Sequence, residues 1–433
     1  MGSSSSAPAP ARAESVESGS ELPIADERSE RGTVPESRDS DFRIQRPRRA
    51  APESIVRPTR AEINLGALRS NAAVLRRAAG NAKLWAVLKA DGYGHGSPAV
   101  ARTLERAKVD GFCVALLEEA IELREAGITA PVLVMGGYYG RAYAELAAYN
   151  VTPVIYDEEH LHGLSAMVRS TGCAPVQVHL KIDTGMARLG VSLEGVDAFG
   201  ARLAATPEVR VSGLMTHFAN ADHESPGDIQ EQVARFDLAA KLLARHGIEP
   251  QLRHSGNSAA LLRGVGLYDA VRPGIAFFGG SPFAPGFGQA PLAAELEPVM
   301  RVRTQLVDVR SLPAGRPLGY GGLFRTQRDS IIATLAMGYA DGLSRGASNR
   351  GVVLVRGRRA PIVGAVSMDM TMIDVTDVPG VALGDEVVVL GRQEGPLGKD
   401  VLRAEELAAF SGLIPWEILT HVSRRVPRFY REP

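Results

Sequence analysis

The sequence predicts an α/β fold: an N-terminal (β/α)8 TIM-type barrel followed by a smaller, mainly antiparallel β domain. Three observations predict it. Between Arg60 and about Ala290, eight short strand-like runs alternate with helical patterns. From about Leu292 the texture changes to runs that alternate apolar and polar residues. Gly and Pro turns separate those later runs at close intervals.

The eight runs are LWAVLKA (from Leu84), GFCVALL (from Gly111), PVLVMG (from Pro131), VTPVIYD (from Val151), VQVHLKID (from Val176), VRVSGLMTHF (from Val209), QLRHSGN (from Gln251) and DAVRPGIAFFG (from Asp269). They are short and rich in Val, Leu and Ile, as parallel strands covered on both faces should be. Helices fall between them. Ser97 reads as an N-cap with Pro98 in the first turn, and Val100, Leu104 and Ala107 then share one face. Another helix begins near Asp228 and runs through Val233, Phe236 and Leu243 until Gly247 stops it. Eight such units suggest a barrel. A doubly wound open sheet is the alternative this pattern leaves.

The second domain is read from MRVRTQLVDV (from Met300), VVLVRG (from Val352) and the run Ala360 to Asp374. Turns fall at Pro313-Ala314-Gly315, Asp341-Gly342, Pro379-Gly380 and Leu383-Gly384-Asp385. The expected divisions are a barrel over 59–291 and a β domain over 292–433. Residues 1–58, rich in Ser, Ala, Pro, Glu and Arg, cannot bury enough apolar surface to offset their ordering entropy and are expected to be a disordered tail.

Composition narrows the function. The chain has 433 residues and zero formal net charge, so it carries no basic field for nucleic acid or an anionic membrane. No apolar run is long enough to span a bilayer. The tail lacks the apolar core of a secretory signal, which favours the cytoplasm. The two cysteines, Cys113 and Cys173, lie in apolar stretches. Two thiols cannot build a disulfide framework, and no ligand spacing suggests a metal, so both read as reduced and structural.

The sharpest chemistry lies in AVLKADGYGHG, from Ala86 to Gly96. Lys89 ends an apolar strand, where it is either a solvated surface lysine or an amine on a catalytic rim. Gly92, Gly94 and Gly96 allow unusual backbone angles and the close approach of a bulky ligand. Tyr93 can turn its hydroxyl to a phosphate. Taken singly, His217 reads equally as a hydrogen-bonded core histidine, Asn257-Ser258 as a helix cap, and Met368 as core.

KADGYGHG resembles the cofactor-lysine signature of the alanine racemases, in the fold-type III group of pyridoxal-phosphate enzymes. KIDTGMARLG, THFANAD, HSGNSAA, VRPGIAFFG, GYADGL and VSMDM resemble further family motifs in the same order, and the resemblance covers about Arg60 to Arg431. It implies a homodimeric racemase that uses pyridoxal 5'-phosphate to interconvert L- and D-alanine by two-base proton transfer, supplying D-alanine for peptidoglycan. It makes Lys89 the cofactor-bearing base and Tyr339, reaching in from the partner subunit, the base on the opposite face, with His217 beside that tyrosine. Tyr93, Asn257, Ser258 and the amides of Gly274 and Ile275 match phosphate ligands. Arg188 matches the arginine that meets the cofactor's phenolic oxygen and the substrate carboxylate, which the Met368 amide also meets. Lys181 matches a lysine that is carbamylated in some members.

Arg272 matches the arginine facing the pyridine nitrogen. A guanidinium cannot accept a proton, so the ring should stay largely neutral and the electron sink weak. One departure is Arg424, in HVSRRVPR, where some racemases carry a tyrosine that narrows the entrance. A broad-specificity amino-acid racemase is therefore the nearest alternative. A fold-type III decarboxylase is the second; that group places a carboxylate on the pyridine nitrogen and uses a C-terminal cysteine. Arg272 and the lack of any cysteine after Cys173 argue against it.

Overall fold

A computed structural model describes residues 56–136, 142–223, 227–283, 287 and 290–432. The expected N-terminal tail lies almost wholly outside these residues.

The chain enters on β1 (Arg60–Asn64) and the helix Leu65–Ala79. It then runs through β2 (Lys83–Val87), β3 (Gly111–Val114), β4 (Val132–Val134), β5 (Thr152–Ile155) and β6 (Val176–Asp183). The two-residue β7 (Val191–Ser192), β8 (Val209–Met215), β9 (Leu252–Gly256) and β10 (Ala270–Val271) follow. The hydrogen-bonded order is β5-β4-β3-β2-β10-β9-β8-β6, and β6 returns to β5. All eight pairings are parallel, so the ring is closed and the open sheet is excluded. These are the eight runs the sequence predicts; β7 hangs on β6 outside the ring.

Helices cover the barrel with the faces expected. The helix Ser97–Arg106 buries Val100 and Leu104. Its cap, however, is Gly96 (φ +99), and the Ser97 hydroxyl donates back to Leu88 O at 3.1 Å. Ser97 thus serves the strand end rather than its own helix. The helix Gly227–Ala244 carries the buried Phe236 and Leu243, and Gly247 follows it at φ +72.

The C-terminal domain contains β11 (Met300–Leu312), β12 (Pro317–Leu318), β13 (Phe324–Arg325), β14 (Ser330–Leu335), β15 (Val352–Val355) and β16 (Arg358–Pro361). It continues with β17 (Thr371–Asp374), β18 (Glu386–Gly395), β19 (Gly398–Leu402) and β20 (Arg428–Arg431). The long β11 is its spine, antiparallel to β1, β14 and β18. Its Met300, Val302, Thr304 and Leu306 alternate inward, as a sheet packed on one face requires. The predicted run Ala360 to Asp374 is two strand pieces, β16 and β17, joined by the loop that carries Met368.

β1 precedes the barrel in sequence yet pairs with β11 and β20. Glu62 fixes this stitch. It is buried and meets Arg60 at 3.1 Å, Arg301 at 3.0 Å, Arg303 at 2.7 Å and Arg431 at 3.0 Å. One carboxylate therefore gathers guanidiniums from β1, β11 and β20. Nothing in the alternation of RAEIN tells which sheet it joins.

Candidate active site

The carboxyl-terminal ends of the parallel strands open on one cavity of about 420 Å³, the face on which barrels carry their chemistry. Ten predicted residues line it: Lys89, Tyr93, Lys181, Arg188, His217, Asn257, Ser258, Arg272, Gly274 and Ile275. Tyr339 and Met368 do not.

The backbone after Lys89 is unusual. Ala90 (φ +53, ψ +50), Asp91 (+56, +47) and Gly92 (+60, +47) form a left-handed turn, continued by Tyr93 at φ +52. Left-handed residues other than glycine cost roughly 1–2 kcal/mol each. Gly94 (φ +78) is needed for a second reason: a Cβ there would lie 2.4 Å from Leu419 O. The turn carries Lys89 at its start, on the rim, and Tyr93 at its end, inside. Burial and the Arg188 guanidinium lower the Lys89 pKa, with Glu119 opposing them. A larger fraction of the amine is thereby neutral at a given pH.

Tyr93 is buried, and burial holds its phenol protonated. A Cβ at Gly274 would come within 2.1 Å of the Tyr93 hydroxyl, so only glycine fits. The Gly274 amide donates to Ser258 Oγ at 2.9 Å. Asn257 caps the helix Ser258–Arg263 by accepting from Ala260 N at 3.0 Å. The cap reading of Asn257 is correct, and the same turn delivers Ser258 to the cavity.

Asp183 shapes the loop that presents Arg188. Its Oδ1 accepts from the amides of Gly185 (2.9 Å), Met186 (3.0 Å) and Ala187 (3.1 Å). This folds KIDTGMARLG back so that Arg188 and Lys181 line the same wall.

Arg272 is buried and lines the same cavity. Its Nη2 donates to Thr216 O at 2.7 Å and its Nη1 to His254 Nδ1 at 2.5 Å. Because guanidinium only donates, His254 accepts at Nδ1, carries its proton on Nε2, and donates that to His179 Nδ1 at 2.8 Å. Burial and Arg272 drive both imidazoles down, His179 to about 3. His217 likewise falls to about 3, from burial and then Arg272, Arg188, Lys181 and Lys89. All three are neutral at physiological pH. Sequence reading missed His179 and His254; the available signal was a lone histidine inside each of two predicted barrel strands.

Lys181 is buried, and desolvation, then Arg188 and Arg272, lower its pKa to about 8. The sign follows directly. Folding is most favoured by this group above about 10.5 and loses that contribution as pH falls through about 8. Lys181→Met should therefore stabilise the apoprotein at pH 7, by at most about 3 kcal/mol, and flatten the rise in stability between pH 8 and 10. Urea unfolding of both apoproteins at several pH values checks it.

Tyr339 is 43% exposed and Met368 is 52% exposed. They sit together on the C-terminal domain, where Tyr339 N donates to Ser367 O (3.0 Å) and Ala340 N to Met368 O (3.1 Å). Asp341, fully buried, pins this turn by accepting from Gly338 N at 3.1 Å and from Arg57 at 2.5 Å. Met370, whose carbonyl accepts from Ser367 N at 3.1 Å beside this turn, is exposed as well. Arg424 is exposed and outside the cavity lining, whereas Trp416, unmarked in the sequence reading, lines it. Among the described residues no cluster of His, Cys, Asp or Glu could hold a metal ion. No described helix is long and apolar enough to cross a membrane.

Comparison with known proteins agrees with this architecture. The alanine racemase N-terminal domain family matches residues 63–282 and the alanine racemase C-terminal domain family matches residues 299–430. The chain is 54% identical over 385 residues to the alanine racemase of Sorangium cellulosum, covering 87% of this chain and all of that one. The crystal structure of alanine racemase from D-cycloserine-producing Streptomyces lavendulae superposes with TM-score 0.80 at 31% identity, over 88% of this chain and 98% of that one. The Bartonella henselae alanine racemase, solved with covalently bound pyridoxal phosphate, gives 0.76 at 28% identity, over 86% and 99%. By the match of both domains and the extent of these identities, the chain belongs to the alanine racemase family.

Proposed function

We propose that the protein interconverts L- and D-alanine at this cavity, with pyridoxal 5'-phosphate bound in it and two opposed proton-transfer groups, Lys89 and Tyr339. The observation that carries the reading is the convergence of Lys89, Arg188 and Arg272 on one cavity with the Tyr93–Ser258–Gly274 cradle. The cradle fits a phosphate: a buried protonated phenol, a hydroxyl, and a glycine that no other residue could replace without striking Tyr93. Four cations, Lys89, Lys181, Arg188 and Arg272, line the cavity, which suits an anionic cofactor and a substrate carboxylate.

When bound, pyridoxal phosphate supplies an electron sink that acidifies the α-C–H of the attached amino acid. The protein's own groups do the rest. Tyr93, Asn257, Ser258, Gly274 and Ile275 hold the phosphate end. Arg272, locked by Thr216 O and His254, would offer the cofactor's pyridine nitrogen a donor and no proton acceptor. Arg188 holds the carboxylate, with Lys181 beside it as the candidate for carbamylation; its lowered pKa supplies the neutral amine that carbamylation needs. Lys89, partly neutral, takes or returns the α-proton on its face.

The second proton-transfer group is Tyr339 of a second copy, with the Met368 amide beside it and His217 on the receiving side. The exposed side chains of Tyr339, Met368 and Met370, neighbours on this turn, support an interface there. His217, neutral above about pH 3, can hydrogen-bond a phenol without adding a charge. The reading makes residues 59–291 the cofactor-binding unit and 292–433 the unit that completes the partner's site. It also places the enzyme in the cytoplasm, supplying D-alanine for peptidoglycan.

The test is a polarimetric panel of alanine, serine, lysine and arginine, combined with borohydride reduction and peptide mapping. The expected result is turnover of alanine above the others, with the cofactor fixed on Lys89. Preference for lysine or arginine, or label elsewhere, would overturn it.

A further inference from the structure

We propose that Glu119 is a positioning residue for Lys89: its carboxylate clamps the left-handed turn after the lysine to the loop after β3, and so fixes where the amine points. The proposal rests on the reading of Lys89 as the reactive amine.

The geometry is compact. Glu119 Oε1 accepts from Ala90 N, the residue next to Lys89, at 2.6 Å. Its Oε2 accepts from Ala115 N at 2.8 Å and Leu116 N at 3.1 Å. Ala115 and Lys89 line the cavity and Glu119 does not, so Glu119 acts through the backbone. Glu119 also lies in the first turn of the helix Leu117–Glu125, so a purely capping role is the competing account.

The turn needs holding. Ala90, Asp91 and Tyr93 are left-handed without being glycine, and such strain persists only where surroundings enforce it. Several groups enforce the far part. Asp91 Oδ1 takes Ser97 N at 2.9 Å, His95 Nδ1 donates to the Gly92 and Tyr93 carbonyls at 3.0 and 2.9 Å, and Arg428 donates to Gly94 O at 3.0 Å. Of these clasps, Glu119 is the one bonded to Ala90, the residue that follows Lys89. A carboxylate suits the position and an amide does not. Three N–H groups converge on two oxygens, while glutamine offers one acceptor and turns its NH2 toward the remaining donors.

Charge gives a separate readout. The groups around the Lys89 amine are Arg188, Lys181, Arg272 and His217 in the cavity, and Glu119 from the neighbouring helix. Arg188 lowers the lysine's pKa and Glu119 raises it.

The experiment compares wild type with Glu119→Gln, as holoenzyme and apoprotein. Expected is a fall in kcat of about 10- to 100-fold in both directions, since small misplacements of a reacting group cost that much, with KM for alanine within about twofold. In the apoprotein, the pH dependence of Lys89 acetylation by acetic anhydride, read by peptide mass, should move to lower pH. Adding Ala90→Gly, which eases the φ +53 strain, should restore kcat several-fold. An unchanged kcat overturns the proposal. So does a fall that tracks lost folded protein, with no shift in acetylation and no gain from Ala90→Gly; Glu119 is then only a helix cap. If Glu119→Gln does not fold, Glu119→Asp, which keeps the charge but falls one methylene short of Ala90, carries the same kcat and KM test. Full activity in Lys89→Ala would instead overturn the racemase assignment of Lys89, which separates the two failures.

Discussion

Lys89→Ala is expected to abolish racemisation in both directions, with kcat lower by on the order of 10⁴-fold or more, because one side chain provides both the cofactor attachment and a proton-transfer group. The fold should survive. Lys89 stands at the rim after β2 with its side chain on the cavity and not in the hydrophobic core, so truncation opens no core cavity. Its removal also takes away one of four cations facing each other across the cavity, so the apoprotein's melting temperature should hold or rise slightly. Arg188, Arg272 and the Tyr93–Ser258–Gly274 cradle remain, so the phosphate end should still bind, more weakly. Added methylamine should restore a small part of the rate by replacing the missing amine. Activity within tenfold of wild type would contradict the assignment. A collapse of the melting temperature would mean that the lysine is structural.

Arg272→Glu carries the second large effect, at two levels. For stability, the substitution takes a donor away from Thr216 O and His254 Nδ1 and sets a carboxylate among acceptors in a buried site. Breaking a buried charged network in this way costs about 3–5 kcal/mol, unless His254 takes up a proton. The direction of that compensation is fixed: Arg272 now lowers His254 and His179, and a carboxylate would raise both. The variant should therefore gain stability at lower pH relative to wild type, as the imidazole charges. For chemistry, a carboxylate can keep the pyridine nitrogen protonated where a guanidinium cannot, which deepens the electron sink. Racemisation should slow, and side products such as pyruvate should grow at least about tenfold relative to racemised alanine. An unchanged product ratio would show that the guanidinium does not set the reaction's outcome.

The barrel was legible because several of its strands, such as β3 and β4, are buried along their whole length and so appear as continuous apolar runs. GFCVALL and VQVHLKID mark themselves without a partner strand. β1 was not legible, because a strand that leaves the barrel to pair with β11 and β20 has the same local pattern as one that stays. The cavity residues came from motifs, and the structure brings ten of them together. The devices that aim them were invisible. Asp183 folding the Arg188 loop, Asp341 pinning the Tyr339 turn and Glu119 holding Ala90 are side-chain-to-backbone contacts, and such contacts leave no periodicity. The glycines of GYGHG announced unusual backbone, yet the left-handed turn begins earlier, at Ala90 and Asp91, where residue type argues against it. Trp416 was overlooked because its place on the cavity wall depends on how the C-terminal domain docks on the barrel.

A heterodimer tests the central claim most directly. Lys89→Ala and Tyr339→Phe chains, co-expressed with different affinity tags and purified through both, would each be inactive as homodimers. If Tyr339 serves the cavity of the other copy, each heterodimer holds one intact site and one doubly altered site, and should recover roughly half the wild-type activity. Recovery no greater than the two homodimers show, from a dimer verified by mass, would contradict the account.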